Sequence, residues 1–299
     1  MKLTRSPLFY VGDKFKLANQ ILPLFPEQIG TFVEPFVGGG SIALNTPAER
    51  YVLNDFNPYV ANLHKWLQSQ DSLDQLLEDL KTRLHEVGLK SSFFGDEVPS
   101  ALKESYPKTY FAQQNRAAYE NLRATFNASS KTNMLDFYLL LIFGFNRMIR
   151  FNASGEFNVP VGNVDLNKNV VSALGGYLDW TKTSRISVAS NDFAKTISSA
   201  TLRKNVFVYV DPPYLIAQTE YNKSWGLEEE VRLLQTLDRL DSKGIKWALS
   251  NVTNYKGVSN ETLIGWAKKF NVTEIQANYI NYHDNGDKKP GEVLVRNYD

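Results

Sequence analysis

Thr31-Phe32-Val33-Glu34-Pro35-Phe36-Val37-Gly38-Gly39-Gly40-Ser41 is the stretch that decides the fold. Thr31 to Glu34 is a short apolar run stopped by Pro35, which suits a buried strand. The glycine triplet then falls where that strand turns into a helix beginning near Ser41. Glycine in such a turn lets a ligand approach the backbone and allows angles that other residues resist. Taken alone, a triplet also fits an ordinary tight turn. Its spacing is not the six-residue dinucleotide fingerprint, and no Lys-Ser/Thr pair follows it, which disfavours nicotinamide and ATP.

The same pattern continues outward. Tyr51 to Asn54 reads as a second strand closed by Asp55, and a helix follows Asn57-Pro58 through Leu67. Strand-like runs return at Arg185 to Ala189, Val206 to Val210 and Ile245 to Leu249, with leucines at helical spacing from Leu227 to Leu240 between the last two. Strands alternating with helices predict an α/β fold whose mainly parallel sheet is covered on both faces. From Leu67 to Ser184 the alternation stops. Leu73 to Val87 and Met134 to Phe143 read as helices, and Ser91 to Pro107, rich in Ser, Gly and Pro, as loop. This region is expected to be an insertion, so that residues 1–66 and 185–299 form one discontinuous domain and residues 67–184 another. Val272 to Ala277 and Glu292 to Val295 read as closing strands joined by the polar loop from Asn281 to Pro290.

Composition narrows the function classes. The 299 residues carry 33 Lys plus Arg against 32 Asp plus Glu, a formal charge of +1, which excludes a globally basic nucleic-acid wrapper. With 43% hydrophobic residues the chain is expected to fold around a sizeable core. Cysteine is absent, so disulfides, cysteine nucleophiles and thiolate zinc sites are impossible, and a cytoplasmic location is expected. Three histidines give no metal cluster from the sequence. Met1 to Tyr10 lacks the apolar run of a signal peptide or anchor, and no later stretch is long enough to span a bilayer. No oligomer signal stands out, and a monomer is expected.

Two further motifs carry chemistry. Asp55, after the second strand, sits where a doubly wound fold holds ribose hydroxyls, since one carboxylate accepts both hydrogen bonds. Asp211-Pro212-Pro213-Tyr214 follows the run from Val206 to Val210. There the Asp carboxylate and the Pro212 carbonyl are two acceptors stiffened by proline, suited to an exocyclic amine, with Tyr214 available to stack on the ring that bears it.

The ordered set resembles the Dam-family adenine-N6 DNA methyltransferases over nearly the whole chain. Tyr10-Val-Gly-Asp-Lys14 is similar to the N-terminal cofactor motif, Glu34 to Gly40 to the glycine loop, Asn54-Asp55 to the second-strand acid, and Asp211 to Tyr214 to the catalytic tetrapeptide. Phe143 to Gly162 resembles the DNA-reading loop and hairpin, while Leu249 to Val252 and Glu292 to Val295 fit the strands that close the sheet. The resemblance implies a Rossmann-like, S-adenosylmethionine-dependent sheet carrying an inserted, mainly helical target-recognition domain with a β-hairpin. It further implies methyl transfer to adenine N6 in double-stranded DNA after base flipping, with no metal. Asp211, Pro212, Pro213 and Tyr214 would be catalytic. Tyr10, Lys14, Glu34, Phe36, Gly38, Gly40, Asp55, Asp192 and Asp211 would surround the cofactor, with Asp192-Phe193 near its adenine. Asn146, Arg147, Arg150, Asn152 and Pro160 would meet DNA.

The residues also account for that last group, because Arg147 and Arg150 lie among asparagines able to contact base edges or phosphates, and Gly155 and Pro160 bracket an expected hairpin. A solvated hairpin with arginines at its base is the plainer alternative. GATC-reading members generally carry Gly-Leu where Arg147-Met148 stands here, so the resemblance leaves the recognition sequence open. Cytosine N4, an RNA adenine, and a non-catalytic DNA-binding module on the same fold are the competing assignments.

Overall fold

The computed structural model describes residues 3–201, 203–217, 225–276 and 291–299, and the expected loop from Asn281 to Pro290 lies outside them. The chain divides into two compact units, one of residues 1–3, 14–56 and 184–299, the other of residues 4–13 and 57–183.

The first unit is built on a seven-stranded sheet. Its strands are β1 (Thr31–Glu34), β2 (Arg50–Asn54), β3 (Arg185–Ala189), β4 (Val206–Val210), β5 (Lys246–Val252), β6 (Asn271–Glu274) and β7 (Glu292–Arg296). Across the sheet they run β3-β2-β1-β4-β5-β7-β6, parallel from β3 to β5, with β7 antiparallel to both β5 and β6. The continuous apolar runs belong to the middle. β1 is buried throughout and β4 nearly so, while edge strands β3 and β6 are largely open to solvent, as expected where parallel strands are covered on both faces.

Alternation along the strands separates two cores. On one face Val33, Val208, Val210, Trp247, Leu249, Val293 and Val295 pack against Phe193 and Ile197 of the helix Phe193–Ala200, and against Leu233, Leu237 and Leu240 of the helix Leu227–Asp241. The spacing of those leucines makes one helical stripe, and each fully buried leucine contributes about 1.5–3 kcal/mol. On the other face Phe32, Phe207 and Tyr209 gather around Phe25, with ring centroids 4.8–6.2 Å apart.

Chain order reverses direction between β1 and β4: strands are added outward to β3 before the chain returns to lay β4 on the other side. A crevice at the carboxyl ends of such a pair is where ligands bind in open α/β sheets. Because β7 runs antiparallel, with Val252 opposite Glu292, its first residue reaches the rim at which the parallel strands end.

The second unit is helical: Pro58–Gln68, Leu73–Val87, Ser100–Ser105, Tyr110–Ala128, Met134–Phe143 and Lys168–Thr183. Met134–Phe143 is buried from Asp136 onward. Its one buried charge, Asp136, is held bidentately by Arg83 at 2.7 and 3.1 Å, which pushes the arginine pKa up.

Three boundaries differ from the sequence expectation. The helix Pro58–Gln68 groups with the second unit, because His64 Nδ1 meets the Tyr177 hydroxyl at 2.7 Å and Trp66 packs on Tyr138. Residues 4–13 group there also, the Tyr138 hydroxyl donating to the carbonyl of Pro7 at 3.2 Å. Within the expected loop from Ser91 to Pro107, Ser100–Ser105 forms a short helix just after Pro99.

Candidate functional site

The prolines after β4 hold a compact charged cluster in the first unit. Lys14, 5% exposed, donates from Nζ to Asp211 Oδ2 at 2.8 Å and lies 4.0 Å from Glu292 Oε1. The Tyr214 hydroxyl donates to Glu292 Oε1 at 2.6 Å and lies 3.3 Å from Asp211 Oδ1, with the Lys14 ammonium 5.0 Å from the centre of the tyrosine ring. Burial pushes the Asp211 carboxyl up, and Lys14 opposes that shift. Glu292 is pushed up for the same reason, again opposed by Lys14, and the Tyr214 phenol is held neutral by burial and the two adjacent carboxylates. Asp211 and Tyr214 of the tetrapeptide and Lys14 of the N-terminal motif thus lie in one cluster. Glu292 is the member that the sequence did not single out.

The glycine loop follows β1. Gly38 and Gly40 have φ of +46° and +74°, left-handed values that favour glycine, and Gly40 forms the N-cap of the helix Ser41–Asn45. Asp55 Oδ2 accepts from the Gly38 amide at 3.0 Å, so the second-strand acid shapes the loop directly. Glu34, 3% exposed, accepts from the Ala43 amide at 3.2 Å, inside the same turn. Asn54, the fully buried residue before Asp55, has a role the motif did not specify. Its Nδ2 donates at 3.0 Å to the carbonyls of both Pro35 and Asn191, and its Oδ1 accepts from the Asn191 amide at 2.9 Å, tying three strand ends together.

Asp192 caps the helix Phe193–Ala200, accepting from the Ala194 amide at 2.9 Å, and pairs with Arg232 at 2.7 Å. The Arg232 bond is the larger cause of its lowered pKa. Phe36 packs against Phe193 and, edge-on, against Trp225, at 5.3 and 5.4 Å between ring centres.

Tyr10 and the expected DNA-reading residues belong to the second unit. Tyr10 closes a turn, its carbonyl accepting from the Asp13 amide. Asn146 is exposed, and both it and Arg147 have φ of +51°, strained for residues bearing a Cβ. The Arg147 guanidinium lies 4.0 Å from the centre of the Phe9 ring, and Arg5 approaches the same ring at 4.7 Å. Arg147 Nε is buried without a hydrogen-bond partner among the described residues, and burial lowers the arginine pKa.

The expected hairpin has antiparallel arms joined at isolated bridges, Gly144 to Val161 and Phe151 to Phe157, and not by a continuous ladder. The backbone amides of Asn152, Asn158 and Gly162 donate across it to the carbonyls of Glu156, Arg150 and Phe143 at 2.9, 3.1 and 2.7 Å. Side chains reinforce these bonds. Asn152 Oδ1 accepts from the Ser154 and Glu156 amides, Arg150 donates to the side chain and carbonyl of Asn158, and Asn127 exchanges two bonds with the Phe157 backbone. The carbonyl of Pro160, itself exposed, accepts from the Phe145 amide at 2.8 Å. Gly162 sits so close to Gly144 that an added Cβ would lie 2.6 Å from its carbonyl oxygen.

Among the described residues no helix is long and apolar enough to cross a membrane, and no group of three or more His, Asp or Glu could hold a metal ion. Against known families, residues 10–280 match the model described as D12 class N6 adenine-specific DNA methyltransferase. Over its full length the chain is 34% identical to the modification methylase StsI of Streptococcus sanguinis. Over 98% of its length it is 33% identical to the type II methyltransferase M.FokI of Planomicrobium okeanokoites. It spans 43% of the length of each. It is also 33% identical to a DNA adenine methylase of Haemophilus influenzae, over 78% of this chain and 72% of that one.

Proposed function

The chain belongs to the D12 class N6 adenine-specific DNA methyltransferases, and from that premise we propose that it transfers a methyl group from S-adenosylmethionine to N6 of adenine in double-stranded DNA. The observation that carries the reading is Asp211, fixed by Lys14 at the carboxyl end of β4, with Tyr214 three residues on in the same buried cluster. In this proposal the flipped adenine stacks on Tyr214, and its amine donates one hydrogen bond to Asp211 and the other to the Pro212 carbonyl, with Pro213 stiffening both. Bonding through those protons turns nitrogen electron density toward the methyl, and the fixed geometry supplies much of the rate.

The residues present suit a cationic methyl donor. Two carboxylates, the buried Glu292 and the part-buried Asp211, face one lysine, and Asp55 holds the glycine loop at Gly38. S-adenosylmethionine would supply the electrophilic methyl group. Tyr10, Lys14, Glu34, Phe36, Gly38, Gly40, Asp55, Asp192 and Asp211 would hold it, Asp55 at the ribose and Asp192 at the adenine.

Asn146, Arg147, Arg150, Asn152 and Pro160 would meet the DNA, and residues 57–183 would select the site. The names of the two modification relatives support a protective role beside a restriction enzyme.

The test is incubation with unmethylated DNA and S-adenosylmethionine, followed by nucleoside mass spectrometry. N6-methyladenine is expected from the native chain. Asp211→Ala should fold and lose at least about 10²–10³-fold in turnover, as when one polar group aimed at a transition state is removed. Turnover within a few-fold of the native chain, or methylation only of cytosine or RNA, would overturn the proposal.

A further inference from the structure

The Tyr214 hydroxyl lies between two carboxylates and its contacts with them are unequal, 2.6 Å to Glu292 Oε1 and 3.3 Å to Asp211 Oδ1. The short contact is within the range of charge-assisted O–H···O bonds, and the long one lies beyond it. Asp211 Oδ2 accepts from Lys14 at 2.8 Å, while Oδ1 carries only the long 3.3 Å contact, so Oδ1 is the less committed oxygen for an incoming amine. A phenol three residues along a proline-stiffened turn is the nearest competitor for that oxygen. Something must hold it away, and Glu292 is placed to do so. It is 2% exposed, fixed by the β7 backbone opposite Val252, and 4.0 Å from Lys14.

We propose that Glu292 is a positioning residue that draws the Tyr214 hydroxyl off Asp211, so that the substrate amine finds a free acceptor while the tyrosine ring stays seated for stacking. The inference rests on the proposed amine methylation. It assigns to the first residue of the last strand a part in the reaction that it plays without touching the substrate. Remove Glu292, and the phenol turns to the remaining carboxylate, occupying Asp211 Oδ1. The protein then keeps its DNA affinity but loses turnover. Remove the phenol as well, and no competitor remains.

This gives a test with a sign that a merely structural role would not show. Glu292→Ala should lower kcat about 10- to 100-fold, the worth of a hydrogen bond to a charged group, with KM for a duplex substrate unchanged within about twofold. Adding Tyr214→Phe to Glu292→Ala should restore kcat to within a few-fold of Tyr214→Phe alone. Glu292→Gln, which keeps volume and an acceptor but lacks charge, should fall between the native chain and Glu292→Ala, and serves if the alanine variant does not fold.

A second readout is independent of methyl transfer. With 3-fluorotyrosine incorporated at position 214, Glu292→Ala and Glu292→Gln should move the fluorine resonance and its titration in the protein without DNA or cofactor. No rescue by Tyr214→Phe, or a fluorine signal indifferent to residue 292, would overturn the inference. If the fluorine signal responds as expected while the native chain methylates no DNA, the hydrogen bond stands but the positioning role falls with the proposed reaction.

Discussion

The rim of the sheet and the loop from Gly144 to Gly162 are both preorganised, but by opposite means. At the rim, the Lys14, Asp211, Tyr214 and Glu292 side chains hold one another, Lys14 from a short 3-10 helix, Asp211 and Tyr214 from the segment after β4 and Glu292 from the first residue of β7. In the loop, side chains hold backbone: Asn152 pins a turn, Asn127 pins Phe157, Arg150 pins Asn158, while Asn146 and Arg147 carry left-handed strain. Charges suit the first arrangement because chemistry needs a fixed field inside a dry site. Backbone pinning suits the second, since the reading proposed for the loop needs a fixed shape on an exposed segment.

The contrast is breakable first at Lys14. Lys14→Met strands Asp211 as a buried acid without its cation, an effect of about 3–5 kcal/mol in unfolding free energy, measured by denaturant titration. The pH dependence has a definite sign. Burial already raises the folded-state pKa of Asp211 and Lys14 restrains the rise, so the variant raises it further. Between the ordinary carboxylate value and that raised value the folded chain binds more protons than the unfolded one, so stability falls as pH rises through the window. The deficit of Lys14→Met relative to the native chain should therefore shrink on acidification toward the ordinary carboxylate range. A deficit constant in pH would remove Asp211 as its origin.

In the loop the largest effect is expected from Gly162→Ala, whose Cβ would press on the backbone of Gly144 at 2.6–2.8 Å, where no side chain can swing away. The expected cost is about 1–3 kcal/mol, with weaker binding to duplex DNA in a gel-shift titration and unchanged affinity for S-adenosylmethionine by calorimetry. Equal losses in both assays would mean that the two arrangements are not separable.

Smallest and most discriminating is Asp192→Asn. Asparagine still caps the helix, and the half-exposed pair with Arg232 is worth at most about 1 kcal/mol, so stability should hardly move. If Asp192 also holds the donor, affinity for S-adenosylmethionine should fall about tenfold, the worth of a single hydrogen bond. Unchanged affinity would leave it a cap alone.

What the sequence made legible follows the same division. β1, β3 and β4 begin and end at the residues the sequence marked, β4 because a buried parallel strand leaves an uninterrupted hydrophobic stretch and edge strand β3 because its polar and apolar residues alternate. The Asp211 tetrapeptide and Lys14 were legible as motifs, yet their contact spans 197 residues and no local pattern announces it. Glu292 stayed hidden because a charge at the head of an apolar run reads as a strand edge, and only the antiparallel register carries it to the rim. Tyr110–Ala128 lies in mixed-polarity sequence without a side-chain cap, and Lys168–Thr183, although capped by Asn167, has its pattern interrupted by Gly175 and Gly176. The loop's two backbone bridges are isolated and buttressed by asparagine side chains, so they leave no run of alternation to find.

The reversed direction of β7 also sets the order in which the molecule can be completed. During synthesis Lys14, the glycine loop and Asp211 emerge long before Glu292, so a nascent chain can lay down β1 to β5 and pair Lys14 with Asp211 while the phenol of Tyr214 still lacks its shorter partner. Until residue 292 has left the ribosome and slid between β5 and β6, the rim is a half-made site. The strand that locks the sheet is also the one that brings the final carboxylate.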